Sequence, residues 1–298
     1  MANLATMAEG LFAEEVKGRS LWSDAWARLL RNQAAVVSAI LLSFITIICM
    51  FGPFVLPNSY EDVFWDYIRS PPDFAAGFYF GTDENGRDLL VRTLHGGRIS
   101  LIVGLVATFV SLVIGVTWGA TAGFVGGRVD NVMMRIVDIL YSVPFIFFVI
   151  ILMVVFGRHF VLIFVGVGAV SWLDMARIVR GQTVSLKRRE FIEAAHASGV
   201  STWNIIRRHI IPNTLGIVIV YITLTVPNVI LFESFLSFLG MGVQEPSTSW
   251  GVLISQGAKT MEIAWWALVF PAVFLSVTLF CLNFIGDGLR DALDPKDR

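Results

Sequence analysis

Apolar residues fall in six long runs, near 34–56, 99–123, 136–156, 160–180, 214–236 and 264–286, with polar stretches between them. Each run reaches the ~20 residues that a helix needs to cross a hydrocarbon core. The pattern predicts an all-α integral membrane protein with six transmembrane helices. The first run is long and lacks a small-residue cleavage site after it, so it reads as a retained span rather than a signal peptide. Asp174 and Glu233 lie near the ends of the fourth and fifth runs. At a helix centre such a residue costs roughly 2.5–3.5 kcal/mol on insertion scales. Near an end it can reach the interface or a partner, and Asp174 has Arg177 one turn later.

The stretches between the runs have their own patterns. In "SLWSDAWARLLRNQ" (20–33), Trp22, Trp26, Leu29 and Leu30 recur at helical spacing opposite Arg28 and Arg31. This suits a helix lying along the interface, or an extension of the first span. Residues 57–98 begin as proline-punctuated loop and end in "GTDENGRDLLVRTLHGGRIS", where Thr82 or Asp83 can cap a short helix that Gly96 and Gly97 end. Residues 237–263 contain the turn formers "GMGVQEPSTSWG", and Trp265 and Trp266 then mark an aromatic belt.

In the second run Ala107, Ser111, Gly115, Gly119, Gly123 and Gly127 recur every four residues. On a helix they form one stripe of small side chains, a seam where another backbone can approach closely. The partner could belong to this chain or to another. Pro144, Pro227 and Pro271 fall within the third, fifth and sixth runs, where each removes a helical hydrogen bond and permits a kink or break. Such interruptions either line a transport pathway or serve internal packing. With "YSVP" and "TVPN" beside them, Tyr141, Ser142, Thr225 and Asn228 become candidate pathway residues.

Composition agrees with the pattern: 56% of residues are hydrophobic and 15% charged, with a mean hydropathy of +0.73. The net charge of −1 carries no signal for nucleic acid, but the distribution of charge orients the chain. With six spans, one side holds sixteen of the 22 Lys and Arg residues, which places both termini and residues 186–213 in the cytoplasm. Cys49 and Cys281 sit in apolar runs and give neither a disulfide framework nor metal ligands. The four histidines are scattered, and no Walker-type phosphate loop or catalytic constellation occurs. The chain is therefore expected to bind no nucleotide, cofactor or metal and to catalyse nothing alone. Any energy for uphill transport must come from a partner.

Residues 186–213, "LKRREFIEAAHASGVSTWNIIRRHIIPN", show where it could enter. Glu190 to Ser198 favours helix, Ala194, Ala195 and Ala197 keep one surface low, and Gly199 can end the helix left-handed. Ser201 or Thr202 can cap a second helix through Trp203, Ile205, Ile206 and His209, which Pro212 then stops. The expected product is a helix–turn–helix projection bearing Phe191, Ile192, Trp203 and Ile206. Such a form suits a docking surface better than a solvated loop does. Glu193 either contacts the docked partner or orders its own loop through Arg189 at i, i−4.

"EAAHASG", nine residues and then "HIIP" resemble the EAA loop of binding-protein-dependent ABC importer permeases, with His209 where many have isoleucine. "FGTDENGRDLLVRTLHGGRISL", "ILFESFLSFLGMGVQEPSTSWG" and "NFIGDGLRDALDPKDR" are similar to blocks of the peptide/opine/nickel group. Within it, they are most similar to the C-type permease subunits of bacterial oligopeptide importers. The resemblance implies a type I ABC importer permease fold in the bacterial inner membrane. It divides the chain into a cytoplasmic segment (1–33), a permease domain (34–286) and a cytoplasmic tail (287–298). It also implies a second homologous permease subunit, two cytoplasmic ATPase subunits that bind ATP and Mg, an extracytoplasmic solute-binding protein and a peptide substrate, all working within membrane lipid. Glu193 and Gly199 are the implied ATPase-coupling positions, with Ala194, Ala195 and Pro212 shaping the loop. Dipeptides, murein peptides, opines or nickel are alternative cargoes. A channel or a scaffold is the alternative outside the class, though nothing resembles a selectivity filter.

Overall fold

The computed structural model describes residues 21–156 and 160–293, and within them it is helical without a β-sheet. Residues 1–20, the link at 157–159 and the tail at 294–298 lie outside the described residues. The helices are α1 (Leu21–Arg31), α2 (Gln33–Val55), α3 (Leu89–Val125), α4 (Gly127–Ser142), α5 (Phe145–Phe156) and α6 (Phe160–Leu186). They are followed by α7 (Glu190–Ala197), α8 (Thr202–Ile205), α9 (Ile211–Phe238), α10 (Trp250–Thr260) and α11 (Trp266–Leu293). Among the described residues, four helices are individually long and apolar enough to cross a membrane: α2, α3, the rod Thr202–Phe238 and α11. The bent pair α4–α5 makes a fifth candidate, its two axes meeting at 88°. Helix α6 has 27 residues, but Asp174, Arg177 and Arg180 lie in its second half. The six expected runs are thus all helical, although only four are uninterrupted spans by length and composition.

Several boundaries differ from the sequence reading, each for a local reason. Asp88, not Thr82 or Asp83, caps the helix after the first outer segment, accepting from the N–H groups of Leu90 and Val91 at 2.9 and 3.4 Å. That helix does not stop at Gly96 and Gly97 but runs on as α3. The two glycines instead admit a neighbour: a Cβ on Gly97 would lie 2.6 Å from Cys49 Sγ and 2.5 Å from the Trp250 ring. Residues 250–260, expected as part of a loop, form α10, whose N-cap Ser249 accepts from Val252 N–H at 3.3 Å.

Pro212 does not stop the second loop helix. Residues Ile206–Ile210 wind as a π-helical turn, with Ile211 N–H donating to Ile206 carbonyl, and lead straight into α9. The wider turn shifts the hydrogen-bond register just before the residue that lacks an N–H. Of the three span prolines, only Pro144 coincides with a break; α9 and α11 continue through Pro227 and Pro271.

The core forms around α3, which packs against α6 along most of its length and also touches α2, α9 and α11. One apolar cluster joins Val116, Ala120 and Phe124 of α3 to Met175 and Val179 of α6 and to Ile205, Ile206 and Ile210. At the same end, α1 lies across α11, where Gly288 meets Ala35 and Leu29.

Candidate functional site

The projection at residues 187–210 is built around a tight stop. Gly199 adopts φ +77° and its N–H donates to His196 carbonyl at 3.0 Å, while Val200 N–H reaches Ala195 carbonyl at 3.2 Å. This pair of bonds is a Schellman closure, which requires a left-handed residue at the turn. Ser201 holds the N-cap position of α8 through its backbone carbonyl, which accepts from Ile205 N–H at 2.9 Å; its hydroxyl does not cap. Ile192, Ile205, Ile206 and Ile210 turn inward and are buried against the bundle. Ile192 and Ile206, expected on the docking face, are therefore structural. Glu193, Ala194, Gly199, Phe191, Trp203 and Pro212 are exposed, while Ala195 is half-buried. Among the described residues no ion pair joins Glu193 to Arg189; its backbone N–H instead donates to Arg189 carbonyl at 3.2 Å. The Glu193 carboxylate therefore stands at the surface.

The small-residue stripe meets α6 of the same chain. A Cβ on Gly115 would lie 2.6 Å from Met175 Cβ, one on Gly119 would run into Ala176 carbonyl, and one on Gly123 would lie 2.8 Å from Arg180 carbonyl. Ser111 is fully buried on the same side. Gly127 leaves the stripe: it starts α4 at φ +59° with open space around it. At the α4–α6 contact, Asp130 accepts two hydrogen bonds from Arg180 at 2.6 Å, and Asp138 accepts one from Arg177 at 2.9 Å. Arg177, expected to pair with Asp174, is thus engaged elsewhere and also covers the Tyr141 ring at 4.4 Å.

Beside that contact lies a cavity of about 450 Å³ between the α4–α5 bend, α6 and α9. Tyr141, Thr225 and Asn228 line it. Ser142 does not; its hydroxyl donates to Ile139 carbonyl at 2.7 Å. The same cavity contains Asp174, which stands midway along α6 because that helix continues to Leu186. Tyr221 of α9 is also in the lining. Tyr221 was not singled out in the sequence, and Asp174 was placed near a helix end rather than among the pathway candidates. The signal was the acidic residue itself, misplaced to a helix end.

The opposite end is closed by polar groups. Asp83 accepts from the backbone N–H groups of Asn85 and Arg87 at 2.8 and 2.9 Å and from Arg87 Nε at 2.8 Å. Arg87 reaches on to Glu245 at 2.9 Å, and Gln256 donates to the same carboxylate at 2.9 Å. The buried Arg92 places Nε 3.3 Å from Asp83. Burial pulls against the Arg87 charge, but Glu245 and Asp83 hold it above the ordinary arginine value. Arg87 in turn holds the Glu245 carboxyl below its ordinary value. Trp266, expected in an exposed belt, is buried and donates its Nε1–H to Thr82 carbonyl at 3.1 Å; Trp265 alone is exposed there. Beneath, the fully buried Glu233 accepts from Ser100 at 2.9 Å and Ser237 at 2.7 Å. Its helix-end position did find partners, all of them hydroxyls.

Residues 115–298 match the family described as "Binding-protein-dependent transport system inner membrane component", and residues 20–72 match "N-terminal TM domain of oligopeptide transport permease C". The Escherichia coli oligopeptide transport system permease protein OppC is 60% identical over 284 residues, 95% of this chain and 94% of that protein. Its Haemophilus influenzae namesake is 56% identical over 292 residues, 98% of this chain and 94% of that protein. A solved structure described as inward facing conformations of the MetNI methionine ABC transporter aligns with a TM-score of 0.54 at 22% identity, over 69% of this chain and 96% of that one. That likeness concerns the fold.

Proposed function

The chain belongs to the binding-protein-dependent transport system inner membrane components, and on that premise we propose that it is one permease subunit of an ABC importer for oligopeptides. In this reading it forms half of a translocation path with a second, homologous permease in the bacterial inner membrane. Two ATPase subunits dock on the projection at residues 187–210, and a solute-binding protein delivers peptide to the opposite face. Both termini are cytoplasmic.

The observation that carries the coupling role is the continuity of the projection with the bundle. Helix α8, the π turn and α9 form one rod, Thr202–Phe238. The surface presented to solvent by Glu193, Gly199, Phe191 and Trp203 is tied by Ile192, Ile205 and Ile206 to the α3–α6 core. A displacement imposed on that surface moves α9 rather than a slack loop. This arrangement suits rigid-body rocking of helices and places no bond-making or bond-breaking in this chain. Pro212 is the second residue of α9, just past the wide turn, where its missing N–H is tolerated.

The test is Gly199→Val in a complex reconstituted with its permease partner, ATPases and loaded binding protein. The variant is expected to insert normally, to lose ATPase co-purification and to import peptide at least ~10-fold more slowly, the equivalent of about 1.4 kcal/mol of docking. Normal uptake together with full co-purification would falsify the coupling assignment.

A further inference from the structure

We propose that Asp174 is a transient binding site for the positively charged amino terminus of the peptide as it passes the cavity between α4–α5, α6 and α9. This deepens the importer reading and rests on it.

The chemistry of the cavity wall points to a cationic, donor-rich group. Asp174 is the acidic residue in the lining, and the nearest basic residue on its helix, Arg177, is turned away to Asp138 at 2.9 Å and to the Tyr141 ring. Two polar side chains of the wall are tied to their own helix. Thr225 hydroxyl donates to Tyr221 carbonyl at 2.8 Å, and Asn228 Nδ2 donates to Leu224 carbonyl at 2.9 Å. The charged side chain of the lining is therefore the Asp174 carboxylate. A carboxylate entering head-on would be repelled by that charge, whereas an ammonium would pair with it.

Size and position agree. About 450 Å³ accommodates the leading end of a peptide rather than a whole folded ligand. Asp174 stands midway along α6 and Thr225 midway along α9, flanked by the Pro144 break, where apolar surroundings raise the cost of an unpaired ammonium. A single carboxylate offsets that cost for the one cationic group that every unmodified peptide carries, whatever its side chains. One charge without a full cage also lets the peptide leave again.

The experiment compares Asp174→Asn and Asp174→Glu in the reconstituted complex, using one tripeptide and its amino-acetylated form. Import is normalised to the peptide held by the binding protein, and ATPase stimulation and co-purification are measured alongside. Asp174→Asn is expected to slow import of the free-amino peptide at least ~10-fold while leaving ATPase stimulation within about twofold of wild type. Glutamate is expected to restore most of the rate. The acetylated peptide should be carried equally by wild type and Asp174→Asn. Equal slowing of both peptides would overturn the proposal. That result would make Asp174 a packing residue. Unchanged import by Asp174→Asn would also overturn it. A wild-type complex that imports neither peptide would instead refute the underlying importer reading.

Discussion

The two ends of the molecule solve opposite problems. At the end closed by Arg87, Glu245 and Trp266, these side chains are bonded from within the chain, and segments more than 150 residues apart share one carboxylate network. At the end bearing residues 187–210, the backbone is equally well made, yet Phe191, Trp203 and Glu193 face outward. Two glycines show the difference. Around Gly251 a Cβ would lie 2.5 Å from Ser234 Cα, whereas around Gly199 nothing lies within 4 Å. The first is needed for closeness, the second only for its left-handed φ. A region that completes itself can be rigid alone; a region that leaves aromatics uncovered is completed by something else.

The contrast can be broken or sharpened by measurement. The largest effect is expected from Gly251→Val, which forces the backbones of α9 and α10 apart and should cost on the order of 3 kcal/mol or more. Little monodisperse protein should survive detergent extraction. Gly199→Val in the same assay should remain folded, because only local strain of about 1–2 kcal/mol opposes it. Equal losses would erase the distinction between the two ends.

Next comes Glu233→Ala. It strips the partner from Ser100 and Ser237 in a fully buried site and leaves a void. Thermal unfolding should register about 2–4 kcal/mol of destabilisation. A loss below about 0.5 kcal/mol would show that the hydroxyls find other partners.

The third effect depends on pH. Because Arg87 depresses the Glu245 carboxyl below 4.5, its stabilisation is complete above that value and is lost as pH falls through the depressed one. Glu245→Gln should flatten that part of the acid limb of the melting curve. The change should be small, since the Glu245 side chain is 49% exposed and solvent screens it. An unchanged acid limb would remove Glu245 from the closure.

The smallest effect on stability is expected at Glu193. Both Glu193→Asp and Glu193→Gln should leave the melting temperature within the range of surface substitutions, about 0.5 kcal/mol. Coupled ATPase activity should separate them, with Asp retaining more than Gln if the charge touches the partner. Equal activity would assign Glu193 to the geometry of its own loop.

What could be read from the chain, and what could not, divides along the same physical line. The spans, Gly199 as a left-handed stop and the spacing of the small stripe are local properties, set by runs and periods that a sequence displays directly. Pro212 was misread because a proline ends a helix only if the preceding turn cannot widen, and the run Ile206–Ile210 widened. Gly96 and Gly97 were misread because their partner, Trp250, lies more than 150 residues away. Trp266 looked like an interfacial anchor until its indole met the carbonyl of Thr82. Asp174 was read as a helix-end residue because Arg177 at i+3 was a sufficient partner on paper; in space Arg177 pairs with Asp138.

The rod Thr202–Phe238 has a further consequence. Thirty-seven residues at a 1.5 Å rise span about 55 Å, so one continuous element reaches from the exposed projection to the serine cage around Glu233. A stiff element has no preferred direction of signalling. If nucleotide-driven motion at Trp203 shifts Glu233 and Ser237 at the far end, then by reciprocity a ligand pressing on that far end must alter affinity at Trp203 by the same factor. A loaded binding protein would then announce itself to the ATPases through the backbone of one helix, before any peptide has moved.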